Sequence, residues 1–416
     1  METPVVHGIV EQHAEEAAFL WLQRDAAVRR LHYTLSTLAE LDNRVDAHLD
    51  GLLCSGEAGW GICREALEGG EAGELFAASF LAFAGGREDR IRRVLEAGSG
   101  DSALSGGIVS ALGWLSFQQA EGAVRRLLSD GSPHLRRIGI AACASHLRDP
   151  GRHLDKALVD SDPLLVARAL KAIAQVGRKD LLPYILDYRG SEDKLCRYAA
   201  AWSGAMLGDA ASVAILRDHA CADASRSEEA GEVALCRMPL PEALQWQAEL
   251  ARNEETGRLS VIAAGVIGDP VLVPWLLARM SVPELARIAG ESFAMITGID
   301  ISCGDLEGAC PEGFEAGPTE NPEDEDVEAD PDYDLPWPNR ETIASWWGKH
   351  GKAFESGICY LLGEPIAPGT LERVLRVGRH HHRRTAALRL AMTEPGRPLF
   401  EVRAPGFRQK KLLSVL

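Results

Sequence analysis

Aromatic side chains make up only 6% of the 416 residues, while Ala and Leu carry most of the apolar content. That scarcity argues against a β-sandwich, whose strands draw on Val, Ile, Thr and aromatics, and favours closely packed helices. The nine cysteines, Cys54, Cys63, Cys143, Cys196, Cys221, Cys236, Cys303, Cys310 and Cys359, are odd in number and include no C-x-x-C pair. They read as small apolar core residues in a reducing compartment. No run of about 18 apolar residues occurs, so membrane insertion is not expected. The start from Met1 to His7 lacks a basic stretch, and Glu15, Glu16, Arg24 and Asp25 interrupt the apolar helix behind it. This predicts no signal peptide and a cytoplasmic protein. G-x-S-x-G and P-loop motifs are also missing. The Gly-rich stretch from Ser99 to Gly107 has no Lys-Ser/Thr ending and reads as inter-helix turns.

What is present is an ordinary globular share of hydrophobic (46%) and charged (25%) residues, which excludes disorder, collagen and coiled coil for the bulk. The net charge of -17 is unevenly spread. Residues 320–334 hold nine acids and no base, whereas residues 371–416 hold eleven Arg and Lys against three Glu, a net +8. An acidic body disfavours nucleic-acid or anionic-membrane binding, and the basic C-terminal segment suits either an acidic partner or the chain's own acids.

The middle of the chain repeats. Leu135 to Asp149, Val166 to Asp180 and Leu195 to Asp209 align, each with an Arg twelve residues before an Asp: Arg137 and Asp149, Arg168 and Asp180, Arg197 and Asp209. A small residue, Ala141, Ala172 or Ala201, stands eight before each Asp, and the ending recurs at Asp89, Asp269 and Asp300. A period of roughly thirty residues marks a solenoid. Within the unit beginning at Ser161, Asp162 and Pro163 start a helix whose buried stripe is Leu165, Ala169, Ala172, Ile173 and Val176. Gly177 stops it, and Asp180 is placed to cap a second helix burying Leu181, Leu182, Ile185 and Leu186. Neither helix buries its apolar face alone, so stacking is required. The recurring Arg and Asp suggest a structural ladder between units; a row of ligand-binding arginines is the sharper alternative.

The units resemble short HEAT-like repeats of the kind found in phycobilisome lyases. More widely, Glu11-Gln-His-Ala-Glu-Glu-Ala-Ala-Phe-Leu-Trp21, Ile296-Thr-Gly-Ile-Asp300, Leu335-Pro-Trp-Pro338 and Phe400-Glu-Val-Arg-Ala-Pro-Gly406 resemble an uncharacterised bacterial family of HEAT-like repeat proteins, some encoded beside type VI secretion genes. The resemblance implies an all-α HEAT-like α-solenoid and supplies no activity or site residues. The expected organisation is an N-terminal helical cap (1–50), the repeat array (51–303), an acidic Pro/Gly-rich linker or loop (304–338), and a C-terminal helical region with a basic tail (339–416). In that last region Glu341 to His350 and two segments within Glu372 to Met392 are helical, and Leu399 to Arg403 runs extended against them.

His380-His381-His382 is the most conspicuous cluster. Successive helical residues diverge by about 100°, so three consecutive histidines are not expected to face one metal, and Arg379, Arg383 and Arg384 beside them disfavour a cation. The run is read as a solvated or partner-facing helix face. His7 and His13, with Glu11, Glu15 and Glu16, lack the H-E-x-x-H order, and the acidic run lacks calcium-loop spacing. No metal, cofactor or catalytic residue is therefore expected. Partner contact is placed on Arg379, Arg383, Arg384, Arg403, Arg408, Lys410 and Lys411, the last four interleaved with Phe400 and Phe407. The functional expectation is a non-catalytic protein-binding scaffold, an adaptor or chaperone for a type VI secretion component or effector. An enzyme or carrier for a tetrapyrrole-like ligand is the alternative.

Overall fold

Pairs of short helices follow one another along the chain because each apolar stripe ends at a residue that turns the backbone back. The computed structural model describes residues 6–99, 102–223, 226–303, 305–314, 316–317 and 330–414. Among these the only strands are the two-residue pair Tyr360–Leu361 and Glu364–Pro365, and the described residues form 22 α-helices in an all-α solenoid fold. Left-handed residues recur after the first helix of each pair: Gly177 (φ 77°), Gly268 (φ 80°) and Gly298 (φ 74°), with Leu147 (φ 52°) at the matching place. Among the described residues no helix is long and apolar enough to cross a membrane.

The chain divides into two units. The first comprises residues 1–29, 33–207 and 395–416, the second residues 30–32 and 208–394. In the first unit the inner helices Ala72–Gly85, Ser102–Trp114, Pro133–Ser145, Pro163–Gln175 and Lys194–Leu207 pack in sequence, one on the next. Asp162 accepts from the Leu165 amide at 2.8 Å and Ala172 is fully buried, as the repeat reading requires. Ser203 Oγ, also fully buried, donates to the Leu170 carbonyl of the preceding repeat at 2.7 Å. Gly106 and Gly107 prove helical, not turn residues: a Cβ on Gly107 would lie 2.7 Å from the Ala72 carbonyl oxygen, so glycine there permits close helix approach.

Residues 395–414 belong to this first unit, which corrects the expectation of one C-terminal region over 339–416. The Leu399 amide donates to the Gln175 carbonyl at 3.0 Å, which ties this stretch to the array of the first unit. The helix Gly406–Leu413 then packs on Leu35–Cys54. There Asp42, fully buried, accepts from Arg24 Nε (2.9 Å) and from the Gly406 amide (2.5 Å), while Arg24 also donates to the Arg403 carbonyl (2.6 Å).

In the second unit Ser227–Arg237, Gly257–Ile267 and Pro283–Thr297 stack in the same manner, and Ser292 Oγ donates to the Val261 carbonyl at 2.9 Å. Helix Arg340–His350 forms as expected. Pro368–Val377 and His380–Thr393 pair with each other, the latter packing on Ser227–Arg237. Of the acidic stretch, residues 318–329 lie outside the described residues. Its described end is anchored: buried Asp332 accepts from Arg258 at 2.6 and 2.8 Å, and Asp330 pairs with Arg287.

Candidate functional site

The arginines expected to meet a partner are largely engaged within the protein. Arg383 has no exposure and donates to the Leu375 carbonyl at 2.8 Å, which corrects its assignment to a partner-facing surface. Arg384 pairs with buried Glu232 at 2.5 Å, and Arg379 with Glu291 (2.8 Å) and Asp300 (3.3 Å). Arg408 donates to the Gly113, Leu115 and Ser145 carbonyls, and burial pushes its pKa down to about 10. Arg403 lies 3.5 Å from Asp25. Lys410 and Lys411 are exposed. Arg403 is exposed too, whereas Arg383 is buried and Arg379, Arg384 and Arg408 are partly covered, because the long apolar stem of Arg lets a cation sit inside where carbonyls or carboxylates meet it.

The ladder also runs differently. Arg137 contacts His134 (3.1 Å), Arg168 donates to Gln175 (2.5 Å), and Arg197 donates to the Ser191 carbonyl (2.5 Å). The rung is made by Arg178, which reaches Asp149 of the preceding repeat (3.0 Å) and Asp180 (2.7 Å). Arg87 repeats the arrangement with Glu57 (3.1 Å) and Asp89 (2.9 Å). The signal in the sequence is thus Arg-x-Asp at the repeat turn, and Asp180 serves the rung instead of capping. Asp209 does hold the start of its own next helix, accepting from the Ser212 amide at 2.9 Å. Arg137 and Arg168 line, with Arg24, Arg403 and Arg408, a cavity of about 380 Å³ that also carries Asp25 and Glu401.

A larger groove of about 880 Å³ opens in the first unit between Glu88–Ala97, Phe117–Leu128 and Pro133–Ser145. Its walls include Phe83, Ile91, Leu95, Leu127, Leu135 and Leu164, and Arg92, Glu96, Arg126 and Asp130 also line it. Leu164 is 47% exposed, an apolar side chain left without full cover at the first turn of its helix. Burial, then the Arg137 charge, lowers the His134 pKa, so this imidazole in the groove wall is neutral at pH 7.

The second unit holds a cluster that helix periodicity alone did not bring together. His381 Nε2 and His382 Nε2 stand 2.9 and 3.1 Å from the same atom, Oε1 of Glu291. Only the Cα–Cβ directions diverge by about 100° per residue; in the first turn of His380–Thr393 the rings lean together, their centroids 3.9 Å apart. Burial favours the neutral Glu291 carboxyl, but the His381 and His382 imidazoles override it and hold the pKa well below the ordinary range. Burial, then the neighbouring His381, depresses His382 to about 4. A legible signal for Glu291 did exist: it is the one charge in the otherwise small and apolar run Ile288 to Ile296, and so must be buried with a partner.

No curated protein and no solved structure matches the chain. Residues 151–235 match the family model described as HEAT repeats, in keeping with the stacked helical pairs of that stretch.

Proposed function

We propose that the chain is a non-catalytic protein-interaction scaffold whose groove in the first unit holds an apolar segment of its partner. On the resemblance of the Glu11, Ile296, Leu335 and Phe400 segments, the partner is a component or effector of a type VI secretion system, with this chain as adaptor or chaperone. The observation that carries the reading is the groove itself. Its lining combines apolar side chains with charges of both signs and comes from successive repeats, as does a surface that recognises an amphipathic helix or extended peptide. HEAT repeats commonly serve such binding. The exposed Lys410 and Lys411 supply a smaller, salt-screened attraction for an acidic client.

Affinity capture from a cytoplasmic lysate of the source cell, read by mass spectrometry, tests this. Leu135→Asp with Leu164→Asp is expected to lose the captured proteins while leaving the helical circular dichroism intact. Capture of the same proteins by this variant and the parent would refute the groove as the binding surface. The rival, a tetrapyrrole-like ligand in the same groove, draws on a volume typical of small-ligand sites and on Arg92, Arg126 and Arg137 in its wall. Visible absorbance that co-purifies with the parent and vanishes in the variant would favour it.

A further inference from the structure

We propose that Glu291, His381 and His382 form a site for one divalent transition-metal ion of the zinc class. The proposal is independent of the groove and its partner. The three ligand atoms lie within 4.8 Å of one another, on the helices Pro283–Thr297 and His380–Thr393 of the second unit. Glu291 and His382 are 4% and 3% exposed, so neither is a solvated side chain that happens to lie near another.

The protonation pattern points to a cation. His381 Nδ1 lies 3.0 Å from the Leu31 carbonyl oxygen, which can only accept, so Nδ1 carries a proton. In the neutral ring Nε2 then presents a lone pair, and it does so 2.9 Å from a carboxylate oxygen. A ring nitrogen held by a backbone carbonyl on one side and presenting a lone pair on the other is how proteins orient a metal-binding histidine. Glu291 is oriented in the same way: Arg379 occupies Oε2 at 2.8 Å and leaves Oε1 toward the imidazoles.

Distance without alignment is the second observation. Glu291 Oε1, His381 Nε2 and both ring nitrogens of His382 have no hydrogen-bond partner although all are buried. Close polar atoms that do not point along a shared hydrogen bond are explained if they converge on a common point between them. Zinc bonds of about 2.0–2.2 Å in a tetrahedron set ligand atoms roughly 3.3 Å apart, so the observed 2.9 and 3.1 Å open by only a few tenths of an ångström on binding. Two imidazoles and one carboxylate select zinc, iron or cobalt over calcium or magnesium. A cavity of about 40 Å³ bordered by Glu291, His381 and Thr385 has room for the water that would complete the coordination.

The test uses the full chain, purified without an affinity tag and stripped with a chelator. Calorimetric titration with zinc chloride is expected to give one equivalent, at least about tenfold weaker in Glu291→Gln and in His382→Ala. His13→Ala should leave it unchanged; His13 and His48, 3.1 Å apart, form the control pair in the first unit. X-ray absorption on the zinc-loaded chain should show two imidazoles. If Glu291→Gln does not fold by circular dichroism, His381→Ala replaces it. Absence of zinc uptake would leave the cluster a metal-free polar contact between Glu291 and the two imidazoles and overturn the proposal. Uptake that survives both variants, or a cobalt spectrum with thiolate charge transfer, would overturn it equally.

Discussion

Replacing Asp42 by Ala should destabilise the first unit far more than removal of an ordinary side chain of that size. Asp42 is fully buried and Arg24 is 6% exposed, so the guanidinium loses its only carboxylate partner described here while remaining inside. An uncompensated buried charge of this kind costs about 3–5 kcal/mol. The Gly406 amide loses its acceptor as well, a further penalty of about 1–3 kcal/mol if no water replaces it. Taking the first figure alone, and about 2–4 °C per kcal/mol for a body of this size, the midpoint of the first unit falls by roughly 6–20 °C. Urea unfolding followed by tryptophan fluorescence is the appropriate assay, because Trp114 lies 5.5 Å from the Arg24 guanidinium carbon and reports on this locus. Arg24→Met should cost a comparable amount by orphaning Asp42. The double variant should cost clearly less than the two singles together, by about 2 kcal/mol or more, since neither charge is then left alone. A cost below about 1 kcal/mol for Asp42→Ala, with additive behaviour in the cycle, would refute the claim that this pair locks the C-terminal segment to the first unit.

Burial and the Arg408 charge depress His146 to about 4 from its ordinary 6.5. Its folded form therefore resists protonation, and the stability it contributes is present above pH 6.5 and lost as the pH falls toward 4. Thermal midpoints measured across that window should fall less steeply in His146→Gln; identical slopes would show that another group governs the acid limb. Gly177→Ala should be the more damaging of two glycine changes. Gly177 and Gly86 both have positive φ (77° and 67°), but a Cβ on Gly177 would lie 2.1 Å from the Gly396 carbonyl oxygen, whereas Gly86 has nothing within 4 Å. Gly86→Ala should then cost about 1 kcal/mol, and Gly177→Ala distinctly more, with faster proteolysis in residues 395–405. Equal costs in chemical denaturation would mean that the tail yields without strain.

The repeat architecture was legible because it is local. Asp162, Pro163 and Gly177 punctuate a helix whose stripe shows in any thirty-residue window, and the structure places those residues as that pattern demands. Pairing between distant segments was not legible. Nothing in the sequence around Gly406 says that its amide will meet Asp42, 364 residues earlier. The charge arithmetic registered the excess of cations after residue 371, yet net charge does not distinguish an exposed Lys410 from an Arg383 with no exposure. The histidine run shows the same limit. Helix geometry fixes where side chains leave the backbone, whereas the carboxylate that gathers His381 and His382 comes from a helix some ninety residues away.

Because residues 395–414 are part of the first unit, its native state is out of reach until they have been synthesised. Translation must pass from Gly208 through Glu394 before those residues emerge, a delay of roughly 10–40 s at ordinary elongation rates. Throughout that interval Arg24 and Asp42 lack the Arg403 carbonyl and the Gly406 amide, and the Gly113, Leu115 and Ser145 carbonyls lack the Arg408 guanidinium. The nascent repeats thus wait as an open intermediate with uncapped polar groups and bare Ala-rich surfaces, the kind of species on which chaperones act. Its completion is timed by the emergence of residues 395–414 from the ribosome, so a chain truncated before residue 395 would lack the segment that closes its first unit.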